Sequence, residues 1–129
     1  MPHRQSFDVP ELPHRSPIPS ATRVGPLIWS SPVPPIDVAT GETPDDVAEQ
    51  VDHVFANLAR VLEAAGVTFD DVGKIEFWIL DKADRGVLNE AWASQFPDPA
   101  SRPARQIQES TVLPPGIRLM ATFQAVARA

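Results

Sequence analysis

The chain has 129 residues, of which 43% are hydrophobic, and a formal net charge of -6 at pH 7. This length predicts one domain with a modest core, and the acidic balance argues against a nucleic-acid partner, which needs a basic surface. Because the chain contains no cysteine, disulfides, thiolate metal sites and a cysteine nucleophile are excluded. The three histidines are scattered and no apolar run approaches a membrane span. We therefore expect a cytoplasmic protein without metal or cofactor.

The N-terminal quarter is predicted to form an arm followed by a β-hairpin. Residues 1–16 are polar and interrupted by prolines, so they are interpreted as an irregular arm, and the domain proper would span 17–129. Residues 21–24 and 27–29 are short runs on either side of Gly25-Pro26, a pair typical of a tight turn. These runs predict the first two strands.

The clearest element is an amphipathic helix after Thr43. Thr43 is the predicted N-cap, Pro44 suits the first helical position, and apolar residues recur at helical spacing up to Gly66. A glycine is typical of the position that follows a helix C-terminus. Residues 74–80 then alternate and become apolar on both faces, which predicts a central strand.

The second half adds a shorter helix and two further strands. Apolar residues between Asp84 and Phe96 recur at helical spacing, with Asp84 as the candidate cap. Residues 105–112 and 117–127 predict two strands around the turn sequence LPPG. The order β-β-α-β-α-β-β predicts an α+β fold, with one mixed sheet and two helices on one of its faces.

The other face of this predicted sheet has no helix to cover it. Trp29 and Trp78 supply apolar side chains there. Because an exposed apolar sheet face is usually buried against another chain, the pattern predicts an oligomer without fixing the number of its subunits.

The chain also carries several short segments whose order and spacing are distinctive. They include Ser30 at the end of an apolar strand, DVATGE at 37–42, NLARVLEAAG at 57–66, Asn89 in the second helix, and Pro103-Ala104-Arg105. Together they resemble the RidA/YjgF family, also known as endoribonuclease L-PSP, whose best-studied members hydrolyse 2-imino acids. The resemblance covers nearly the whole chain. It implies a chorismate-mutase-like homotrimer whose sheets form a central barrel, with pockets between adjacent subunits.

The resemblance also implies where a ligand would bind. Arg105 matches the family arginine that pairs with the substrate carboxylate, and a planar guanidinium offers two parallel N–H donors for that purpose. The further candidates are Ser30 and Thr122 as catalytic residues, and Asn89, Ile18, Ser31 and Ile107 as substrate-binding residues. The implied partner is a small carboxylate-bearing metabolite, held while water attacks an imine carbon.

The sequence departs from the family pattern at three pocket positions. The Ser-Gly-Gln-Ile-Pro segment that is usual in active members reads Ser-Ser-Pro-Val-Pro at 30–34, and the pocket tyrosine aligns with Ile18. The acidic residue that would position the attacking water aligns with Met120, or with Thr122 if two residues are inserted. Neither side chain can act as a carboxylate.

Other charged residues offer only weak substitutes. Glu109 would lie about 13 Å along the strand from Arg105, which is too far to share one small substrate. Glu76, on the neighbouring strand, is an alternative carboxylate whose position relative to Arg105 the sequence does not fix.

Two residues near Arg105 in the pattern are interpreted without a ligand role. Arg102 is interpreted as a surface or subunit-edge charge, and Trp92 as part of the helix core rather than a ligand-stacking residue.

Three functions follow as hypotheses. The first is a deaminase that hydrolyses a small 2-imino carboxylate to the keto acid and ammonia. The second is a trimer that binds a carboxylate metabolite without turning it over, which the missing acidic residue favours. The third, an endoribonuclease, follows only from activities of some family members, and the acidic charge argues against it.

Overall fold

The computed structural model describes residues 2–129, which form six strands and two α-helices. The strands are β1 (Arg4–Phe7), β2 (Ala21–Val24), β3 (Leu27–Ser30), β4 (Val72–Ile79), β5 (Ala104–Glu109) and β6 (Leu119–Val126), and the helices are α1 (Val47–Ala64) and α2 (Arg85–Gln95). They make one sheet of order β1-β2-β3-β6-β4-β5, in which only the β4–β5 pair is parallel. The predicted mixed sheet with two helices is confirmed. Neither helix has the length and apolarity needed to cross a bilayer.

Strand β1 is the element that the sequence did not predict. It pairs with β2 in antiparallel register, from Arg4 opposite Val24 to Phe7 opposite Ala21. The residues after it continue into the core, where Val9 is only 5% exposed. Because β1 has a single apolar residue, its strand conformation depends on main-chain pairing with β2, which a hydrophobic pattern does not report.

Helix α1 starts later than the sequence predicted. Its N-cap is Asp46, whose Oδ2 accepts a hydrogen bond of 3.1 Å from the Glu49 N–H, so the prediction of Thr43 was wrong. The carbonyl of Pro44 instead accepts a hydrogen bond of 2.7 Å from the Gln50 side chain, which holds that residue outside the helix. At the other end, Gly66 has a φ of 79°, as predicted for the residue that ends this helix.

The two faces of the sheet differ in what covers them. On the face under the helices, Ile28, Ile75 and Phe77 are fully buried. On the opposite face, Trp29 is 38% and Val126 is 50% exposed. The predicted uncovered apolar face is therefore present, and we call it the open face.

A buried polar network fixes the start of β6. The two carboxylate oxygens of Asp84 accept hydrogen bonds of 3.0 and 2.9 Å from Nη2 of Arg118. The Gln50 side chain is fully buried, accepts from the Arg118 backbone N–H at 2.8 Å and donates to the Gly116 carbonyl at 2.9 Å. Asp84 therefore occupies the N-cap position of α2 without making a side-chain cap, contrary to the predicted role.

Candidate functional site

Arg105 is the second residue of β5 and lies against helix α2. It pairs with Ile75 of β4, so its side chain shares the face that the helices cover. Its guanidinium carbon lies 5.1 Å from the centre of the Trp92 ring, a cation–π arrangement. Trp92 is itself 8% exposed and packs edge-on against Phe77. The predicted core role of Trp92 is confirmed, and the ring also supports the arginine.

No carboxylate neutralises Arg105 within residues 2–129. None lies within 4.0 Å of its guanidinium. Partial burial, and then the positive charge of Arg85, lower the pKa of Arg105. The group stays protonated near neutral pH, because a guanidinium is so weakly acidic that arginine remains charged in proteins. A partly desolvated cation without a partner favours an anionic ligand, which would restore the lost interaction.

Arg102 differs from Arg105 although only two residues separate them. Its side chain is exposed, and its Nε donates a hydrogen bond of 2.8 Å to the Phe96 carbonyl. This contact ties the loop before β5 to the end of α2. The arginine thus has a structural partner, in agreement with the surface role predicted for it.

Ser30 ends strand β3 and bonds to strand β6. Its Oγ accepts a hydrogen bond of 2.9 Å from the Phe123 N–H, just beyond the last ladder pair of the two strands, Trp29 and Gln124. The hydroxyl proton remains free to donate to another group. The catalytic role of Ser30 stays a prediction.

A cavity of about 380 Å³ lies beside the end of β3. It brings together three of the candidate positions, Ile18, Ser31 and Met120, in a lining that is otherwise largely proline and aliphatic. In the part of the chain that the structure describes, no Asp or Glu lines this cavity, and its titratable side chain is His14. One ring nitrogen of His14 is 2.9 Å from the Ser16 carbonyl. We call Ile18, Ser31 and Met120 together the pocket side.

The remaining candidates, except for Ser30 and Thr122, belong to strand β5, which carries Arg105, and to helix α2, which Arg105 contacts. Ile107 follows Arg105 by two residues, pairs with Phe77 and packs against the core. Asn89 is exposed on α2, one helical turn before Trp92. We call Arg105, Asn89 and Ile107 the arginine side.

Met120 of the pocket side and Arg105 lie on opposite faces of the sheet. Met120 pairs with Trp78 on the open face, whereas Arg105 pairs with Ile75 on the helix-covered face. The Cα atoms of Met120 and Arg105 lie roughly 14 Å apart, from about 10 Å along the strands and about 10 Å across two of them. One small ligand cannot contact both residues of a single chain.

Glu76 and Thr122 also belong to the open face. They pair with each other across β4 and β6, and Glu76 forms an ion pair of 3.3 Å with Lys74. Glu76 thus points away from Arg105 within one chain. Sequence reasoning overlooked two other residues: Arg85, whose charge helps to lower the pKa of Arg105, and His14 in the cavity. The helical spacing of Arg85 from Trp92 could have revealed the first.

Comparisons with known proteins indicate the family of the chain. The profile of a family described as Endoribonuclease L-PSP matches residues 11–126. A RutC family protein of Pyrococcus abyssi is 35% identical over 99 residues, 76% of each chain. The 2-iminobutanoate/2-iminopropanoate deaminase of Escherichia coli is 31% identical over 106 residues, 81% of this chain and 83% of that one.

Solved structures show the same arrangement of strands and helices. The YjgF gene product of E. coli matches with a TM-score of 0.87 and 27% identity, covering 96% of this chain and 99% of that one. The E. coli protein TdcF, solved with bound serine, matches with a TM-score of 0.87 and 25% identity over the same shares.

Proposed function

The chain belongs to the Endoribonuclease L-PSP family, also called RidA/YjgF, and from this we propose that it hydrolyses small 2-imino carboxylates to 2-oxo acids and ammonia. The observation that carries the proposal is Arg105, a half-buried guanidinium without a carboxylate partner in residues 2–129. The E. coli relative named as a deaminase supports the reaction type.

Arg105 would fix the substrate by its carboxylate. Two parallel N–H donors match the two carboxylate oxygens, and this restricts the orientation of the imine carbon. A water molecule adds its oxygen to that carbon. One proton of this water goes to the imine nitrogen; the new hydroxyl then gives its remaining proton to the nitrogen as the carbon–nitrogen bond breaks, so that the 2-oxo acid and ammonia form and one water is consumed per turnover. Because an imine is already electrophilic, positioning of the water is the main requirement.

We propose that each complete site forms between two subunits of a homotrimer. Met120 of the pocket side and Arg105 are too far apart within one chain, and these two residues face opposite sides of the sheet. The arginine side of one subunit would therefore meet the pocket side of the next. The exposed apolar residues of the open face, including Trp29 and Leu27, support burial against other copies.

The attacking water would be positioned without a side-chain carboxylate. Met120 occupies the cavity where an acidic group would serve this purpose. The hydroxyl of Thr122, a backbone carbonyl or a group of the substrate would hold the water instead. Proton transfer would consequently be slower than with a well-placed general base.

Ammonia release tests this proposal. A 2-imino acid is made in situ by an amino-acid oxidase, and the protein is expected to accelerate ammonia release above the buffer rate. Arg105→Ala should lower kcat/KM about 100-fold, because a charge-assisted bidentate contact is lost. Arg102→Ala is the matched control, since it removes a nearby guanidinium whose hydrogen-bond partner among residues 2–129 is the Phe96 carbonyl at the end of α2. Equal rates for wild type, Arg105→Ala and buffer would exclude a deaminase.

A second function, binding without turnover, is favoured by the composition of the cavity. Among the described residues, none of those that line it is acidic. Under this alternative, 2-oxo acids would raise the Tm of the wild type but not of Arg105→Ala, and they would be recovered unchanged. The absence of any shift with a panel of carboxylates would exclude it.

A further inference from the structure

Among the described residues that line the cavity of the pocket side, His14 is the one with a titratable side chain. It belongs to the segment between β1 and β2, which two buried residues anchor to the core, Val9 and Leu12. The Leu12 N–H donates a hydrogen bond of 2.9 Å to the Val9 carbonyl and closes a turn. The segment therefore holds His14 in the wall of the cavity.

A backbone contact orients the imidazole of His14. Its Nδ1 lies 2.9 Å from the Ser16 carbonyl oxygen. Because a carbonyl only accepts hydrogen bonds, Nδ1 must carry the proton in this contact. In neutral imidazole the lone pair is then on Nε2. The geometry selects the tautomer in which Nε2 is the basic nitrogen.

The basic nitrogen of His14 has one charged neighbour, Asp8, in the part of the chain that the structure describes. Oδ1 of Asp8 lies 3.6 Å from Nε2, which is longer than a hydrogen bond, and the Asp8 side chain is 73% exposed. Water screens such a pair, so Nε2 stays available. The other described elements that line the cavity, namely α1, β6 and the loops after β3 and β5, add no charged side chain to it. Asp8 would stabilise the imidazolium that forms when Nε2 accepts a proton.

Hydrolysis of an imine needs a group that moves protons, and the described lining of the cavity contains no carboxylate. Met120, which aligns with the acidic residue of the family, lines the same cavity as His14. A thioether cannot take a proton from water near neutral pH, whereas an imidazole can. The chemistry that Met120 cannot supply is therefore available from another residue of the same wall.

We propose that His14 is the general base and general acid of the imine hydrolysis, an inference that rests on the proposed function and deepens it. As the water oxygen bonds to the imine carbon, Nε2 takes one proton of the water and passes it to the imine nitrogen. The hydroxyl of the resulting carbinolamine then gives its proton to Nε2, which returns it to the nitrogen as the carbon–nitrogen bond breaks. The 2-oxo acid and ammonia form, and His14 is neutral again. Since other groups still have to hold the water, the partly exposed histidine compensates only in part for the missing carboxylate.

The pH dependence of catalysis tests this role. 2-Iminobutanoate is made in situ from 2-aminobutanoate by an amino-acid oxidase, and kcat/KM is measured between about pH 5 and 8, where a histidine ordinarily changes charge. At pH 8, His14→Gln should lower kcat/KM about 100-fold, the contribution typical of general acid–base catalysis. At pH 5 the ratio of wild type to variant should fall below about 10, because a protonated histidine cannot act as a base.

Two controls separate catalysis from structure. Glutamine can still donate a hydrogen bond to the Ser16 carbonyl, so a purely structural role of His14 would survive in His14→Gln. His53→Gln is the matched control, because His53 has a similar exposure and a similar ion pair, 3.9 Å from Asp37, but lies on α1 outside the lining of the cavity. It should keep the wild-type rate and the wild-type pH profile.

The outcomes distinguish this inference from the proposed function. An active wild type that His14→Gln matches in kcat/KM at every pH overturns the inference and leaves the proposed function standing. If the wild type hydrolyses no 2-imino acid, the proposed function fails, and NMR then tests whether His14 contacts the ligand. Addition of 2-oxobutanoate should shift the imidazole signals of His14 and not those of His53. Unchanged His14 signals at millimolar 2-oxobutanoate overturn the inference.

Discussion

Asp84 lies at the N-cap position of α2, but its side chain pairs with Arg118 instead of capping the helix. It immediately precedes α2, yet its side chain makes no cap hydrogen bond. Both carboxylate oxygens instead accept from Arg118, which is 34 residues further along the chain, and Asp84 is only 8% exposed. A charge-assisted hydrogen bond in a partly buried environment stabilises the carboxylate more than a hydrogen bond from a backbone N–H at a solvated helix end would. A local sequence rule cannot anticipate such a distant partner.

The charges around Asp71 should make stability depend on pH. Its Oδ2 accepts a hydrogen bond from the Thr68 N–H and its Oδ1 from Nε of Arg128, each at 2.9 Å. These contacts, the Thr68 hydrogen bond first, lower the pKa of the Asp71 carboxyl. Because the folded pKa is below the unfolded value of about 3.9, the stabilisation is complete above that value and disappears as the pH falls through the folded pKa.

Asp71→Asn should therefore destabilise the protein at neutral pH. We expect a loss of about 1 kcal/mol in the free energy of unfolding at pH 7, typical of a lost capping interaction. Urea denaturation at pH 7, 5 and 3 should show the difference between the variant and the wild type shrinking at the lowest pH. Asp70→Asn is the control, because that neighbouring carboxylate is 86% exposed. A difference that persists unchanged at pH 3 would contradict the assignment.

At the scale of elements, two residues compete for the role of N-cap of helix α1. Asp46 makes the cap hydrogen bond, whereas Thr43 lies three residues upstream. Asp46→Ala should lower the free energy of unfolding by about 1 kcal/mol, and Thr43→Ala should change it by less than about 0.5 kcal/mol. Urea denaturation of the two variants measures both values. If Thr43→Ala costs more, the helix begins where the sequence pattern placed it.

The elements that the sequence predicted are those with a strong hydrophobic period. Helix α1 buries an apolar side chain at nearly every turn, and strand β4 buries one at nearly every second residue. The hydrophobic patterns of both elements are therefore unambiguous. Strand β1 has almost no such pattern and exists because β2 offers unpaired main-chain groups at the edge of the sheet. Ends of elements were less predictable, since they depend on tertiary contacts such as the Gln50 bond to Pro44.

The sequence named candidate site residues, whose roles stay predictions, but it did not indicate how they are arranged. Ile18, Ser31 and Met120 meet in one cavity, as an alignment to the family would suggest. That Arg105 faces the other side of the sheet follows only from the register of β4 against β5 and β6. A shift of that register by one residue would turn the Arg105 side chain to the other face of the sheet. The amino-acid sequence does not directly indicate the register.

At the scale of the whole molecule, the open face should control assembly. Trp29 is 38% exposed in the single chain and lies on this face with Leu27 and Val126. Trp29→Glu would place a charge in each proposed subunit contact, and we expect the trimer to dissociate to monomers that keep their secondary structure. Sedimentation velocity with circular dichroism measures both properties.

A matched control distinguishes the open face from general surface effects. Val112→Glu also replaces an exposed apolar residue, 87% accessible, but in the loop between β5 and β6. This variant should sediment as the wild type does. A wild type that is itself monomeric at micromolar concentration would refute the proposed assembly.

Because Arg105 and Met120 lie on opposite faces of the sheet, the proposed assembly predicts how two differently defective chains would behave when one cell makes both. In the proposed ring, each chain serves two sites, giving its arginine to one neighbour and its cavity to the other. A chain that lost Arg105 would still supply Ser31 and Met120 to a partner. In rings assembled at random from equal amounts of two chains, each defective on a different side, about one site in four would be intact. Two inactive alleles would thus complement each other, measurable as ammonia release from cells that express both.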